Sequence, residues 1–265
     1  MCQLLGMNCN VPTDICFSFE GFCARGGQTD HHRDGWGIAF FEGKGCRIFL
    51  DAKPSIDSPV ADLVRCYPIH STHVIAHIRK ATQGEIALHN CHPFQRELWG
   101  RYWVFAHNGN LPDFQPQSMG FFQPVGNTDS EKAFCMILET LRESFPDGQP
   151  PLNELYFALS KITQKINLKG IFNYLLSNGE HFFAYCSTTL SYIVRQAPFA
   201  AAHLIDQDMT VDFRELTSPS DRVAVIATTP LTDNEVWTQI PPGELLVFQD
   251  GLPLMYLPGR VKEIS

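Results

Sequence analysis

The sequence predicts an α+β fold of antiparallel sheets with helices packed outside them. Three observations carry that expectation. Glycine-marked turns join short apolar runs in "FFEGKGCRIF" and "LLSNGEHFF", which reads as hairpins and hence antiparallel pairing. Two longer segments carry apolar residues at helical spacing. Finally, 265 residues with 44% hydrophobic and 18% charged content can bury a sizeable core. Repeats, low-complexity segments and linkers are absent from the sequence, so one compact domain over residues 2–265 is expected rather than two.

In chain order, "QLLGM" reads as a first strand. "DICFSFEGFCAR" reads as a helix, capped by Thr13 or Asp14 and ended by Gly26–Gly27. "GWGIAFFEGKGCRIFLD" reads as a hairpin turning at Gly43 and Gly45, and "SPVADLVRCY" as a short helix. "HVIAHIRKA" and "RYWVFAHNG" are apolar strands that end in polar residues. In "NTDSEKAFCMILETLRESF", Thr128 and Glu131 have capping-box spacing, and Phe134, Ile137, Leu138, Leu141 and Phe145 follow at helical period. "PLNELYFALSKITQKI" is a second helix of that kind. "FNYLLSNGEHFFAYCS" is a hairpin around Asn178–Gly179, and "LSYIVRQ", "RVAVIATT" and "ELLVFQD" complete a strand-rich C-terminal half.

The formal charge is −8 with no basic run, which argues against nucleic acid or anionic membrane as a partner. The longest apolar stretches are too short to span a bilayer. "MCQLLGMNCNVPTD" turns polar too soon for a signal peptide, so a cytoplasmic protein is expected. The nine cysteines form no CxxC pair, and neither a disulfide framework nor a zinc site is indicated. The first four fall seven residues apart, but Pro12 interrupts the run, so they are not one helical face. The histidines suggest no metal-ligand grouping, and His77 reads as an interior histidine with its hydrogen bonds satisfied. No cofactor motif is present: GxSxG, HExxH, Walker A and GxGxxG do not occur.

Four segments can carry chemistry. Cys2 follows the initiator methionine, which is commonly trimmed before a small residue. Its thiol and α-amine have reference pKa values of about 8.5 and 8, so one residue could serve as both nucleophile and base. "AHIRKATQG" delivers Arg79, a planar fork suited to a carboxylate, and the Thr82 hydroxyl; it could also be a solvated strand end. "FAHNGNL" offers the Asn108 amide and the Gly109 N–H as an oxyanion hole, or a plain Asn-Gly turn. "GNTDSEKAF" puts Asp129 in the first turn of a helix, where a carboxylate is stabilised by the dipole and could also bind an ammonium group. "RDGWGIAFF" suggests close backbone packing near the nucleophile, and "NCHPF" a shaped loop.

The order Cys2, "DGWG", "HIRKATQG", "NCHPF", "AHNG", "NTDSE" resembles the glutaminase domain of class II glutamine amidotransferases, which are N-terminal-nucleophile hydrolases. "VPTDICFSF", "VGNTDSEKAF" and "IATTPLTDNEVWTQIPPGE" look like the stand-alone YafJ-type members, over nearly the whole chain. The resemblance implies a four-layer αββα sandwich, two antiparallel sheets between helical layers. It also implies Cys2 as nucleophile after loss of Met1, Arg79 and Thr82 on the glutamine α-carboxylate, Asn108 and Gly109 as oxyanion hole, and Asp129 on the α-ammonium. The substrate implied is glutamine or another γ-glutamyl small molecule, such as a glutathione-like thiol peptide, with no cofactor. A protein that accepts the ammonia is a further implied partner. Lys80 and Gln83 depart from the pattern, where other members often carry an aromatic residue and a histidine.

Overall fold

A computed structural model describes residues 2–116, 120–257 and 260–263. In chain order its elements are β1 (Gln3–Thr13), α1 (Cys16–Ala24), β2 (Trp36–Glu42), β3 (Gly45–Asp51), α2 (Pro59–Cys66), β4 (Ser71–Ile78), β5 (Phe94–Leu98), β6 (Arg101–Asn110), α3 (Asp129–Ser144) and α4 (Leu152–Asn167). The second half holds β7 (Ile171–Ser177), β8 (Phe182–Tyr185), β9 (Ser191–Gln196), β10 (Ala201–His203), β11 (Thr210–Asp212), β12 (Arg222–Ala227), β13 (Thr238–Gln239), β14 (Leu245–Gln249), β15 (Leu252–Leu257) and β16 (Arg260–Glu263). Among the described residues, no helix is long and apolar enough to cross a membrane.

Two sheets dominate. The first runs β13-β9-β12-β1-β4-β2-β3 and the second β16-β15-β14-β8-β7-β6-β5, and the pairings in both are antiparallel. Three apolar layers bind them. Phe19, Phe22 and Trp36 lie between α1 and the first sheet. Leu4, Ile75, Leu175 and Phe182 fill the space between the sheets. Phe105, Phe134, Leu159 and Phe172 join the second sheet to α3 and α4, with the Phe105 and Phe134 rings stacked at 5.1 Å. The layer order is therefore α-β-β-α, the sandwich expected from the sequence. Strands covered on both faces read as continuous apolar runs, which is why "IFNYLLS" lacks alternation.

Local chemistry sets the helix starts. The N-cap of α1 is Ile15 rather than Thr13 or Asp14 and makes no side-chain cap, although Asp14 Oδ1 accepts the Cys16 N–H at 3.0 Å; Ser58 Oγ accepts the Ala61 N–H at the start of α2. Thr128 Oγ1 caps α3 by accepting the Glu131 N–H at 3.2 Å. The capping box is only half made: the Glu131 carboxylate accepts from the N–H groups of Val125 (3.0 Å) and Gly126 (2.7 Å) instead, tying the preceding loop to the helix.

Two readings from sequence need correction. "NCHPF" is not only a loop, because Phe94 opens β5 and a β5–β6 hairpin turns at Trp99–Gly100. Both turn residues have positive φ, 59° and 72°, and Trp-Gly is not a usual hairpin signal. Asn108–Gly109 is no turn: both residues lie inside β6, paired with Asn173 and Phe172 of β7.

Candidate active site

The candidate site lies where β1 begins and β4 ends. Gln3 pairs with Ile78, so the chain leaving β4 runs directly past Cys2. Its thiol accepts the Lys80 N–H at 3.2 Å and lies 3.3 Å from the Lys80 carbonyl oxygen. Cys2 is buried, and burial pushes its thiol up from the ordinary range. The Lys80 N–H, the N-terminal charge and the Arg79 charge pull the other way without reversing the shift.

The "DG" of "DGWG" holds this passing segment. Asp34 Oδ2 accepts the Ala81 N–H at 2.7 Å, the Asp34 N–H donates to the Arg79 carbonyl, and the Arg79 N–H donates to Gly35. Gly35 has φ +109°, and a Cβ there would stand 2.6 Å from Cys91 Sγ.

Arg79 is 2% exposed. Its guanidinium donates to the carbonyls of Gln83 (3.0 Å), Gly84 (3.3 Å) and Glu85 (3.0 Å), winding residues 81–85 around the cation. Gln83 Nε2 then donates to Asn110 Oδ1 at 2.6 Å, joining that loop to the end of β6. Asp129, 6% exposed, is the first residue of α3. Its carboxylate accepts the N–H of Leu111 (2.7 Å) and of Ser130 (2.9 Å). Among the described residues, neither Arg79 nor Asp129 makes an ion pair.

Cys2, Arg79, Thr82, Gly109 and Asp129 line one cleft with about 20 Å³ of free volume. Lys80, Gln83, His92, His107 and Ser130 belong to the same wall. Asn108 does not line it. Its side chain is buried behind the cleft, where Nδ2 donates to Thr228 Oγ1 at 3.2 Å; that hydroxyl also accepts the Leu4 N–H. Among the described residues, Asn108 Oδ1 has no partner. Gly109 cannot be larger: a Cβ there would meet the Ile171 carbonyl oxygen at 1.9 Å and His107 Nε2 at 2.5 Å.

Three buried histidines back the cleft. His107 Nε2 donates to the Ile171 carbonyl (3.1 Å), which leaves Nδ1 to accept from Ser130 Oγ (2.8 Å). His77 and His92 lie 4.2 Å apart with their rings tilted at 48°. Among the described residues the His92 ring nitrogens have no partner, whereas the His77 ring faces the His107 backbone. Burial pushes His77 and His92 well towards the neutral form and His107 in the same direction, opposed there by nearby Asp129. Sequence reasoning gave no role to Asp34, His92, His107 or Ser130. All four sit in the motifs quoted above, but only the folded chain brings them to one place.

A larger cavity of about 590 Å³ lies at the far end of β1, beside Phe17, Arg195 and Phe213. It is mostly apolar. Arg195 is spent on Glu235 at 2.6–2.9 Å, and burial pushes the Cys16 thiol there up to about 12. With no activated nucleophile and no free charge pair, it is a weaker candidate than the Cys2 cleft.

The αββα sandwich is the fold of the N-terminal-nucleophile amidotransferases. The chain superposes on the glutamine phosphoribosylpyrophosphate amidotransferase of B. subtilis with a TM-score of 0.57, covering 99% of this chain and 48% of that one. At 14% identity that likeness is one of fold alone. Sequence carries the comparison further. Residues 1–263 match the family of class II glutamine amidotransferases. The chain is 54% identical over 248 residues to the Escherichia coli K12 protein named "Putative glutamine amidotransferase YafJ", covering 94% of this chain and 97% of that one. A crystal structure titled as a predicted glutamine amidotransferase from Pseudomonas aeruginosa PA01 matches at 47% identity and TM-score 0.77, covering 96% of this chain and 100% of that one. The chain belongs to the class II glutamine amidotransferase family.

Proposed function

We propose that this protein hydrolyses the side-chain amide of glutamine, or of a related γ-glutamyl compound, through a thioester on Cys2. One observation carries the reading. A buried cation, Arg79, and a buried carboxylate, Asp129, line the thiol's cleft, and neither is neutralised by an ion pair among the described residues. Unpaired buried charges are costly unless a ligand supplies the opposite charges. An α-amino acid supplies both, with its carboxylate for Arg79 and Thr82 and its ammonium for Asp129.

The chemistry follows from those positions. Loss of Met1 frees the Cys2 α-amine. The amine takes the thiol proton as sulfur attacks the γ-carbonyl, and then passes it to the departing nitrogen. The Gly109 N–H and the second Asn108 amide proton, the one Thr228 leaves free, stabilise the oxyanion. Water then attacks the thioester; its hydroxyl completes glutamate and its remaining proton restores the thiol. The burial-raised thiol makes a base necessary, and an amine with a reference pKa of about 8 suits that role. About 20 Å³ holds little more than one water in the chain that still carries Met1, so loss of Met1 is also what opens room beside the thiol.

The test is ammonia or amine release with matched glutamate formation. Wild type should show both, and Cys2→Ala should show neither. A Cys2→Ala protein that turns over at the wild-type rate would sink the assignment. An N-terminal-cysteine hydrolase for simple acylated amines has no use for the Arg79–Asp129 pair. Under that reading Arg79→Ala would leave turnover intact; here it should not.

A further inference from the structure

We infer that the cavity at the far end of β1 binds a small uncharged molecule with an apolar ring body and a carbonyl-type oxygen. Its volume of about 590 Å³ is that of a ligand pocket, and it shares no lining residue with the Cys2 cleft. The floor is one face of the first sheet. Met7 of β1 pairs with Val225 of β12, and Val223 of β12 pairs with Arg195 of β9, so these four side chains leave the sheet on the same side. The first turns of α1, with Phe17, make one wall. The excursion over residues 199–221, which carries β10, β11 and Phe213, makes another.

Arg195 is the polar exception in the floor. It is 8% exposed, and its guanidinium carbon stands 4.7 Å from the Phe213 ring centre and 5.6 Å from that of Phe17. The head group itself therefore sits among the lining rings. Its charge is spent on Glu235, but its donors are not. Nε and Nη2 donate to the Glu235 carboxylate at 2.9 and 2.6 Å. A guanidinium has five N–H donors, and Nη1 makes no hydrogen bond among the described residues. Nor is Nη1 sealed away as the orphan Trp36 Nε1 is. A side chain this deep keeps unspent donors only where something in the cavity can accept them.

Charge narrows the class. Glu235 already neutralises Arg195, so a carboxylate ligand would set a second acid on the same guanidinium. Asp14 and Asp221 also line the cavity, and among the described residues neither makes an ion pair. Their charges repel an anion as well. A cationic group, in turn, brings no acceptor to Nη1. A ketone, amide or ring-carbonyl oxygen meets both conditions, and an apolar ring fills the space beside Phe17 and Phe213.

The experiment is a fluorescence titration of the processed full chain with 6-propionyl-2-(dimethylamino)naphthalene, an uncharged ring ketone. Its 6-propyl analogue, which lacks only the oxygen, and the corresponding 6-carboxylate are compared with it. The ketone should bind saturably, one per chain, about fivefold tighter than the propyl compound, the scale of one hydrogen bond. The carboxylate should bind more weakly than either. Arg195→Lys keeps a cation for Glu235 but has no second nitrogen, so it should bring the ketone-to-propyl ratio to about one. Val223→Phe should weaken the ketone about tenfold or more by taking up its room. Absence of saturable ketone binding, equal affinity for ketone and propyl compound in the native protein, or tightest binding of the carboxylate overturns the inference. So does ketone binding that a glutamine-analogue electrophile on Cys2 blocks, because the ketone would then lie in the other cleft. The native comparison needs no variant, so a variant that misfolds does not shield the proposal. With no residue shared between the two sites, its failure leaves the Cys2 reading untouched.

Discussion

At the scale of single residues the site is a set of charges and donors that the protein leaves partly unspent. Arg79 and Asp129 use backbone partners to hold their positions and keep their net charges for something else. Removing either should therefore act mainly on binding. Asp129→Asn keeps an oxygen that can accept the Leu111 N–H but loses the charge. Its KM for glutamine should rise by roughly ten- to a hundredfold, as expected for one charged hydrogen bond, with a smaller change in kcat. An unchanged KM would remove Asp129 from the clamp. Asn108 has a different part, since its amide is held by Thr228 and, in the proposed reaction, only its second proton is left to reach the oxyanion. Asn108→Ala should lower kcat about a hundredfold or more with KM little changed. Steady-state kinetics separates the two cases.

At the scale of elements, five segments meet at the cleft: the start of β1, the wound loop after β4, His92 ahead of β5, the end of β6 and the start of α3. The β6–β7 pairing leaves no room at Gly109, where a methyl group would run into the Ile171 carbonyl. Gly109→Ala should force those strands apart, lower stability by about 1–3 kcal/mol and abolish turnover; urea titration and ammonia release report the two effects. A stable, active Gly109→Ala protein would mean that this edge yields easily. The helices α3 and α4 and the β2–β3 and β7–β8 hairpins were legible in sequence because capping residues, helical period and Gly-containing turns are local signals. The β5–β6 hairpin was not, because its Trp99–Gly100 turn takes left-handed conformations that the surrounding fold imposes. For the same reason "HNG" reads as a turn in isolation, yet long-range pairing with β7 keeps it in strand. Cys2, Arg79, Thr82, Gly109 and Asp129 could be picked out because their motifs, in that order, resemble the family, and the fold brings these five to one cleft. The histidine cluster and the turning-away of Asn108 depend on contacts between distant segments and were out of reach.

At the scale of the whole molecule, neutral histidines buried within and beside the sheets give stability a particular pH dependence. Burial, with His181 nearby, holds His73 down at about 4, and His77, His92 and His107 are shifted in the same direction. An unfolded chain would protonate each near 6.5. Because the folded values are depressed, the unfolded state binds more protons as pH falls. The stabilisation is complete above about 6.5 and is lost from there down towards 4, with His73 alone accounting for roughly 3 kcal/mol. Urea midpoints should already drop between pH 6.5 and 5, above the range where ordinary carboxylates titrate; a flat midpoint there contradicts the assignment. The two sheets also fix where chemistry can occur, because β1 carries Cys2 at one end and the large apolar cavity flanks the other. The most direct test of the central claim is intact mass followed by peptide mapping after treatment with a glutamine-analogue electrophile. The predicted result is a chain lacking Met1, carrying one adduct on Cys2 that excess glutamine prevents. A chain that keeps Met1, or an adduct on any of the other eight cysteines, would contradict it.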